Sequence, residues 1–210
     1  MVRNRGNLQK NIDMEVLYMN KKILKVMSLT LIFALTFSTT IFAAVDRNYE
    51  YQQDSNWCWA ASAKNMVIGE RPKNDPPTIS QTEAVIEVKG TPANVQGSMA
   101  DAIDAAEFIS EGQYEYISLA RNSFFTLNNM KYMTDTAQSP IYLFLSDNET
   151  SEGHAVIIYG VNGNDLLIFD PATRNGGKVT ADYYELLQGN SRALENYHGL
   201  QMMYCTSHNW

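Results

Sequence analysis

Cysteine and histidine are both scarce in this chain, and each scarcity narrows its chemistry. Only two cysteines occur in 210 residues, Cys58 and Cys205. Two thiols cannot build a four-cysteine structural zinc site, nor the dense disulfide framework of small exported domains. Histidine occurs three times, at His154, His198 and His208, so imidazole chemistry has few candidates. Charged residues are 19% of the chain and are scattered. Residues 45–210 carry no internal repeat and no low-complexity tract. Twelve Tyr, eight Phe and three Trp leave no case for disorder.

Long hydrophobic runs are also few. The exception, Val26 to Phe42, is uncharged and follows the basic group Asn20-Lys21-Lys22 with Lys25. Ala43-Ala44 then offers a small-residue cleavage site, and Asp46 brings the first acid beyond it. Residues 19–44 therefore have the layout of a secretory signal peptide. The alternative is a retained anchor. The run is at the short end for spanning a bilayer, and it holds Ser28, Thr30, Thr36, Ser38, Thr39 and Thr40. Residues 1–18 form a polar preface better explained as a mis-called extension, with translation starting at Met19. Residues 45–210 are then a single domain.

Removing the six basic and two acidic side chains of residues 1–44 from the 16 and 23 of the whole chain leaves 10 against 21, a net of −11. Such a domain is a poor ligand for nucleic acid or an anionic membrane surface. The expectation is a soluble, exported monomer that stays off the membrane once its signal is removed.

Helices dominate the first half. Trp57 to Ile68 is a helix, with N-cap chemistry at Asp54, Ser55 and Asn56 and Gly69 as its stop. Ser80 and Glu83 have capping-box spacing for a second helix to about Val88. Gly97 to Ser110 and Ser123 to Thr134 supply two more. The period then changes. Ile141–Leu145, Ala155–Tyr159 and Leu166–Phe169 suit strands, and Asn162-Gly163 marks a hairpin between the last two. A short helix at Ala181–Leu187 and a strand at Leu200–Tyr204 close an α+β chain.

Within this frame, Cys58 falls in the first turn of a helix, where free N–H groups and the helix dipole favour a thiolate. Flanked by Trp57 and Trp59, it would serve equally well as core packing. A thiolate nucleophile needs a base. His208 is a tail residue, and His198 sits in a turn before the last strand. His154 lies where a loop enters a strand, the position that most often carries catalytic groups. A hairpin centred on Asn162 places Asp170 directly across from His154. A centre at Gly163 places Ala172 there and leaves Asp170 diagonal. In both registers Asp170 can hold the imidazole, while Asp170-Pro171 would also make a simple turn cap. Gln52, six residues before Cys58, offers an amide for an oxyanion, with Gln53 as its neighbour and competitor. Cys205, in a strand-like segment, is expected to be a buried, unreactive thiol.

Gln52-x5-Cys58-Trp59 resembles the oxyanion glutamine, nucleophile and following tryptophan of the papain superfamily. The block Gln52 to Ala61 is most similar to bacterial papain-like cysteine peptidases, among them secreted plant-pathogen effector proteases. Gly153-His154 through Asp170-Pro171-Ala172 is similar to the His-strand-turn-strand-Asp-Pro element of those enzymes and of the bacteriocin-leader peptidases. The resemblance implies a papain-like fold, with the catalytic helix packed on a C-terminal antiparallel sheet. It also implies Cys58, His154 and Asp170 as a triad with Gln52 at the oxyanion hole, a thioester acyl-enzyme, a protein or peptide substrate, and no metal or organic cofactor. Papain itself has Asn as third member and a disulfide framework, so its substrate preferences do not transfer. The same machinery performs transglutamination, deamidation and cell-wall amide cleavage, and a scaffold without catalysis is the remaining alternative. Asn94–Met99 and Asn148–Glu152 are candidate cleft walls.

Overall fold

A computed structural model describes residues 45, 47–119, 125–147, 153–173, 177–191, 194 and 197–208. The expected extension and signal peptide, residues 1–44, lie outside the described residues, as does the wall at 148–152. Three helices come first: α1 (Cys58–Glu70), α2 (Gln81–Lys89) and α3 (Met99–Ile109). Strand β1 (Tyr114–Ser118) leads to α4 (Leu127–Lys131) and a π-helical turn, Tyr132–Thr136. Then follow β2 (Ile141–Asp147), β3 (Gly153–Asn162), β4 (Asp165–Phe169), β5 (Lys178–Asp182), α5 (Tyr183–Leu187) and β6 (Tyr197–His208). The strands form one antiparallel sheet in the order β1-β6-β2-β3-β4-β5. This is the expected α+β arrangement.

Both sheet faces are covered, which is why β2 and β3 are apolar almost throughout. Tyr142, Ala155, Ile157 and Met203 face α1, α2 and α3. Ile141, Leu143, Val156 and Ile158 face Met130 of α4 and Leu186 of α5. Buried Ala60, Ala61 and Ala63 keep α1 slim enough to approach the sheet closely.

Several boundaries differ from the sequence expectation. The N-cap of α1 is Trp57, with no side-chain cap bond. Asp54 and Asn56 bond elsewhere, to Ser55 N–H and Asn94. Gly69 does not stop the helix, which runs on to Glu70. A Cβ at Gly69 would come within 2.8 Å of Pro140 Cδ and closer still to Cγ, so this glycine serves close packing. The Ser80–Glu83 capping box is present, and Gly90 at φ +73° ends α2. A second box at Ser98 and Asp101 starts α3 later than expected. The helix expected at Ser123 begins at Leu127, capped by Thr126. Ala181 and Asp182 belong to β5 rather than to the helix after it.

The hairpin register settles the sequence alternatives. The loop is Gly163-Asn164, with Asn162 paired to Asp165, but a bulge between Ile158 and Gly160 shifts the pairing so that Ile157 faces Phe169. Continued toward the loop ends, that register sets Ala172 opposite His154 and Asp170 diagonal to it. Without the bulge Asp170 would lie opposite Ile157, on the other face from His154, because side chains alternate along a strand.

Candidate active site

Cys58 is the first residue of α1, partly exposed and free, between buried Trp57 and Trp59. The N–H groups of a first helical turn have no carbonyl within their own helix, so α1 presents donors beside the sulfur. Both indoles are anchored by hydrogen bonds: Trp57 Nε1 donates to Ala93 O at 3.0 Å and Trp59 Nε1 to Val95 O at 3.1 Å. The Asn56 N–H donates to Asn94 Oδ1 at 2.8 Å. The expected wall at Asn94 is thus tied to the residues around Cys58, and Gly97 lies so close to the Trp59 indole that a Cβ would collide with it.

His154, near the start of β3, is 9% exposed. Its Nε2 lies 2.8 Å from Asp170 Oδ1, and Cys58 also interacts with the imidazole. Burial pulls the imidazole pKa down, but hydrogen bonds and charge from Asp170 and Cys58 outweigh it, leaving it raised to about 9. Asp170 shows the complementary balance. Burial raises its pKa, and the His154 bond with two further donors brings it below the ordinary value. Those donors are the Ala172 N–H at 2.9 Å and the Thr173 hydroxyl at 2.9 Å. Asp170 is therefore a turn cap and a histidine partner at once, and the turn is what holds its carboxylate still.

Gln52 also comes to this site. Its N–H donates to Pro171 O at 3.0 Å, beside Asp170. One hydrogen of its amide is committed to Ser55 O, at 2.9 Å, which fixes the direction of the other. Gln53 points elsewhere: its N–H donates to Gln81 Oε1 and its side-chain Oε1 accepts from the Thr82 hydroxyl, both on α2. Of the remaining candidates, Cys205 is buried on β6 and in no disulfide, opposite Tyr116 of β1. The side chains of His198 and His208 lie outside the described residues. Sequence reasoning passed over Ser62 and Asn65, buried polar residues of α1. Their only sequence signal is an uncharged polar side chain inside a mostly apolar helix.

A thiol and a carboxylate that both act on one imidazole, with N–H groups unpaired within a helix start, suit nucleophilic acyl transfer. Among the described residues no group of His, Cys, Asp and Glu is arranged to hold a metal ion. The family described as papain-like cysteine protease AvrRpt2 matches residues 41–187. The peptidase domain of Streptococcus ComA, described as a bi-functional ABC transporter involved in a quorum-sensing pathway, has a similar structure. The likeness has a TM-score of 0.51 at 17% identity and covers 75% of this chain and 97% of that one. A Bacillus anthracis protein described as a C39-like peptidase also has a TM-score of 0.51, at 10% identity, covering 80% of this chain and 98% of that one. No curated protein sequence matches this chain.

Proposed function

The chain belongs to the AvrRpt2 family of papain-like cysteine proteases, a cysteine-type peptidase by that membership, and we propose that it is an exported enzyme working through Cys58, His154, Asp170 and Gln52. The observation that carries this reading is the imidazole of His154, bonded at Nε2 to Asp170 and engaging Cys58 as well.

In the proposed reaction His154 takes the Cys58 proton, and the thiolate adds to the peptide carbonyl carbon. The Cys58 N–H and the free hydrogen of the Gln52 amide hold the oxyanion. The C–N bond breaks as His154 returns its proton to the leaving amine, giving a thioester. Water, deprotonated by His154, then releases the acid and restores the thiol. Asp170 keeps the imidazole in one orientation and stabilises its charged form.

Export rests on residues 19–44. Val45, just beyond the expected cleavage point, is fully buried, and its N–H donates to Tyr159 O at 2.7 Å. The test is hydrolysis of a proteome-derived peptide library, with Cys58→Ala and iodoacetamide-treated protein beside the unmodified chain. New peptide termini that vanish in both treatments are expected. Unchanged hydrolysis would overturn the reading, and side-chain amides converted to acids without new termini would make the enzyme a deamidase.

A further inference from the structure

The helix that carries Cys58 also buries Lys64, which pairs with the Glu50 carboxylate at 3.0 Å, and beside it two uncharged polar side chains that the reaction leaves unused, Ser62 and Asn65. Both are fully buried, on a helix whose other interior residues include Ala60, Ala63, Met66 and Val67. Spacings of four and three residues put 58, 62 and 65 on one stripe of α1. Ser62 Oγ donates to Ala155 O at 2.9 Å, on the residue after His154. The β3–β4 ladder has already ended at Ile157 and Phe169, so at Ala155 the hydroxyl stands on a stretch of β3 that β4 no longer braces. Asn65 makes a two-bond clamp on Glu50, its Oδ1 accepting from the N–H at 2.7 Å and its Nδ2 donating to the carbonyl at 2.9 Å. Glu50 stands two residues before Gln52.

We infer that Ser62 and Asn65 are positioning residues of the peptidase: the Ser62 hydroxyl sets the strand of His154, and the Asn65 amide sets the segment of Gln52, against the helix of the nucleophile. The inference rests on the catalytic reading above. All three bonds end on main-chain atoms, so they fix backbone position rather than side-chain identity. A displacement near an ångström at such a site costs about 10²-fold in rate, and an apolar residue at either position would remove these bonds from main-chain groups that are buried at Ala155 and partly buried at Glu50.

The test uses the whole chain with Ser62→Ala, Ser62→Thr, Asn65→Leu and, as a destabilised control remote from the site, Val85→Ala in α2. The readouts are kcat and KM on a peptide substrate, the pH profile of Cys58 alkylation by iodoacetamide, and the His154 titration by NMR. Ser62→Ala is expected to lower kcat by roughly 10-fold or more, with KM little changed, and to move the His154 titration downward. Ser62→Thr, which keeps the hydroxyl, restores both. Asn65→Leu lowers kcat without moving that titration, because it acts through Gln52. If Ser62→Ala does not fold, Ser62→Cys keeps the volume with a weaker donor and carries the same titration test. A wild-type titration and alkylation profile in Ser62→Ala, or in Ser62→Cys where that variant replaces it, or a kcat loss that Val85→Ala reproduces, overturns the inference. Hydrolysis that survives alkylation of Cys58 overturns instead the reading on which it rests.

Discussion

At the scale of single residues, the site depends on keeping a nearly buried imidazole chargeable. Burial alone would lower the pKa of His154, and the bonds to Asp170 and Cys58 reverse the sign, to about 9. Because the folded value exceeds the ordinary 6.5, the linked stability is complete below pH 6.5. It is lost as pH rises through about 9. The same imidazolium protonates the leaving amine, so kcat/KM is expected to fall on an alkaline limb near pH 9. Asp170→Asn keeps the shape and removes the charge. It should move that limb to lower pH and cost on the order of 10²-fold in kcat, and a pH–rate profile of the variant checks both. An unmoved limb would mean that Asp170 acts only as a turn cap. Much of this site is legible in the sequence. Cys58, His154, Asp170 and Gln52 stand out because catalysis constrains residue type and spacing together. Ser62 and Asn65 do not, because their partners are main-chain atoms of Ala155 and Glu50, which any residue would supply.

At the scale of elements, tertiary packing overrides local signals. Gly69 has the look of a helix stop, yet it is helical, and what requires a glycine is Pro140 on its flank. That reverses the usual expectation for replacing it. Gly→Ala inside a helix ordinarily stabilises by about 1 kcal/mol, whereas forcing an atom into a packed contact costs about 1–3 kcal/mol. Pro140 is a ring with little freedom to yield, so Gly69→Ala should lower stability, by about 1 kcal/mol, measured by urea unfolding. A gain would show that the 139–140 loop moves aside. The strands that sequence reasoning missed are β1 and β5, Tyr-Glu-Tyr-Ile-Ser and Lys-Val-Thr-Ala-Asp. Both are edge strands with polar residues among their exposed positions, so neither has the apolar run that identified β2 and β3. The bulge in β3 is likewise silent in the sequence, although it decides which face Asp170 shares.

At the scale of the whole molecule, α1 joins the site to the far side of the fold, and its last residue is a carboxylate. Glu70 is largely buried at the negative end of the helix dipole, accepting a hydrogen bond from the Ser139 hydroxyl. Tyr114 and Tyr116 of β1 stand near it. The adjacent Arg71 turns its guanidinium toward Asp75 and Glu111, at 3.6 and 3.8 Å. Burial pushes the Glu70 pKa up from 4.5 to about 7, with the Ser139 bond opposing it. The folded state therefore holds a proton that the unfolded chain releases. Stability from this group is complete below pH 4.5 and declines as pH rises through about 7, in total about 3 kcal/mol. Above that, an ionised carboxylate remains at the junction of α1 with the sheet. Glu70→Gln keeps an acceptor for Ser139 and cannot ionise. The difference in unfolding free energy between wild type and this variant, measured by urea titration at a series of pH values, should change across that window and level off above it. His154 and Asp170 cancel in the comparison, since both proteins carry them. A pH-independent difference would mean that water reaches the Glu70 carboxylate in the folded state.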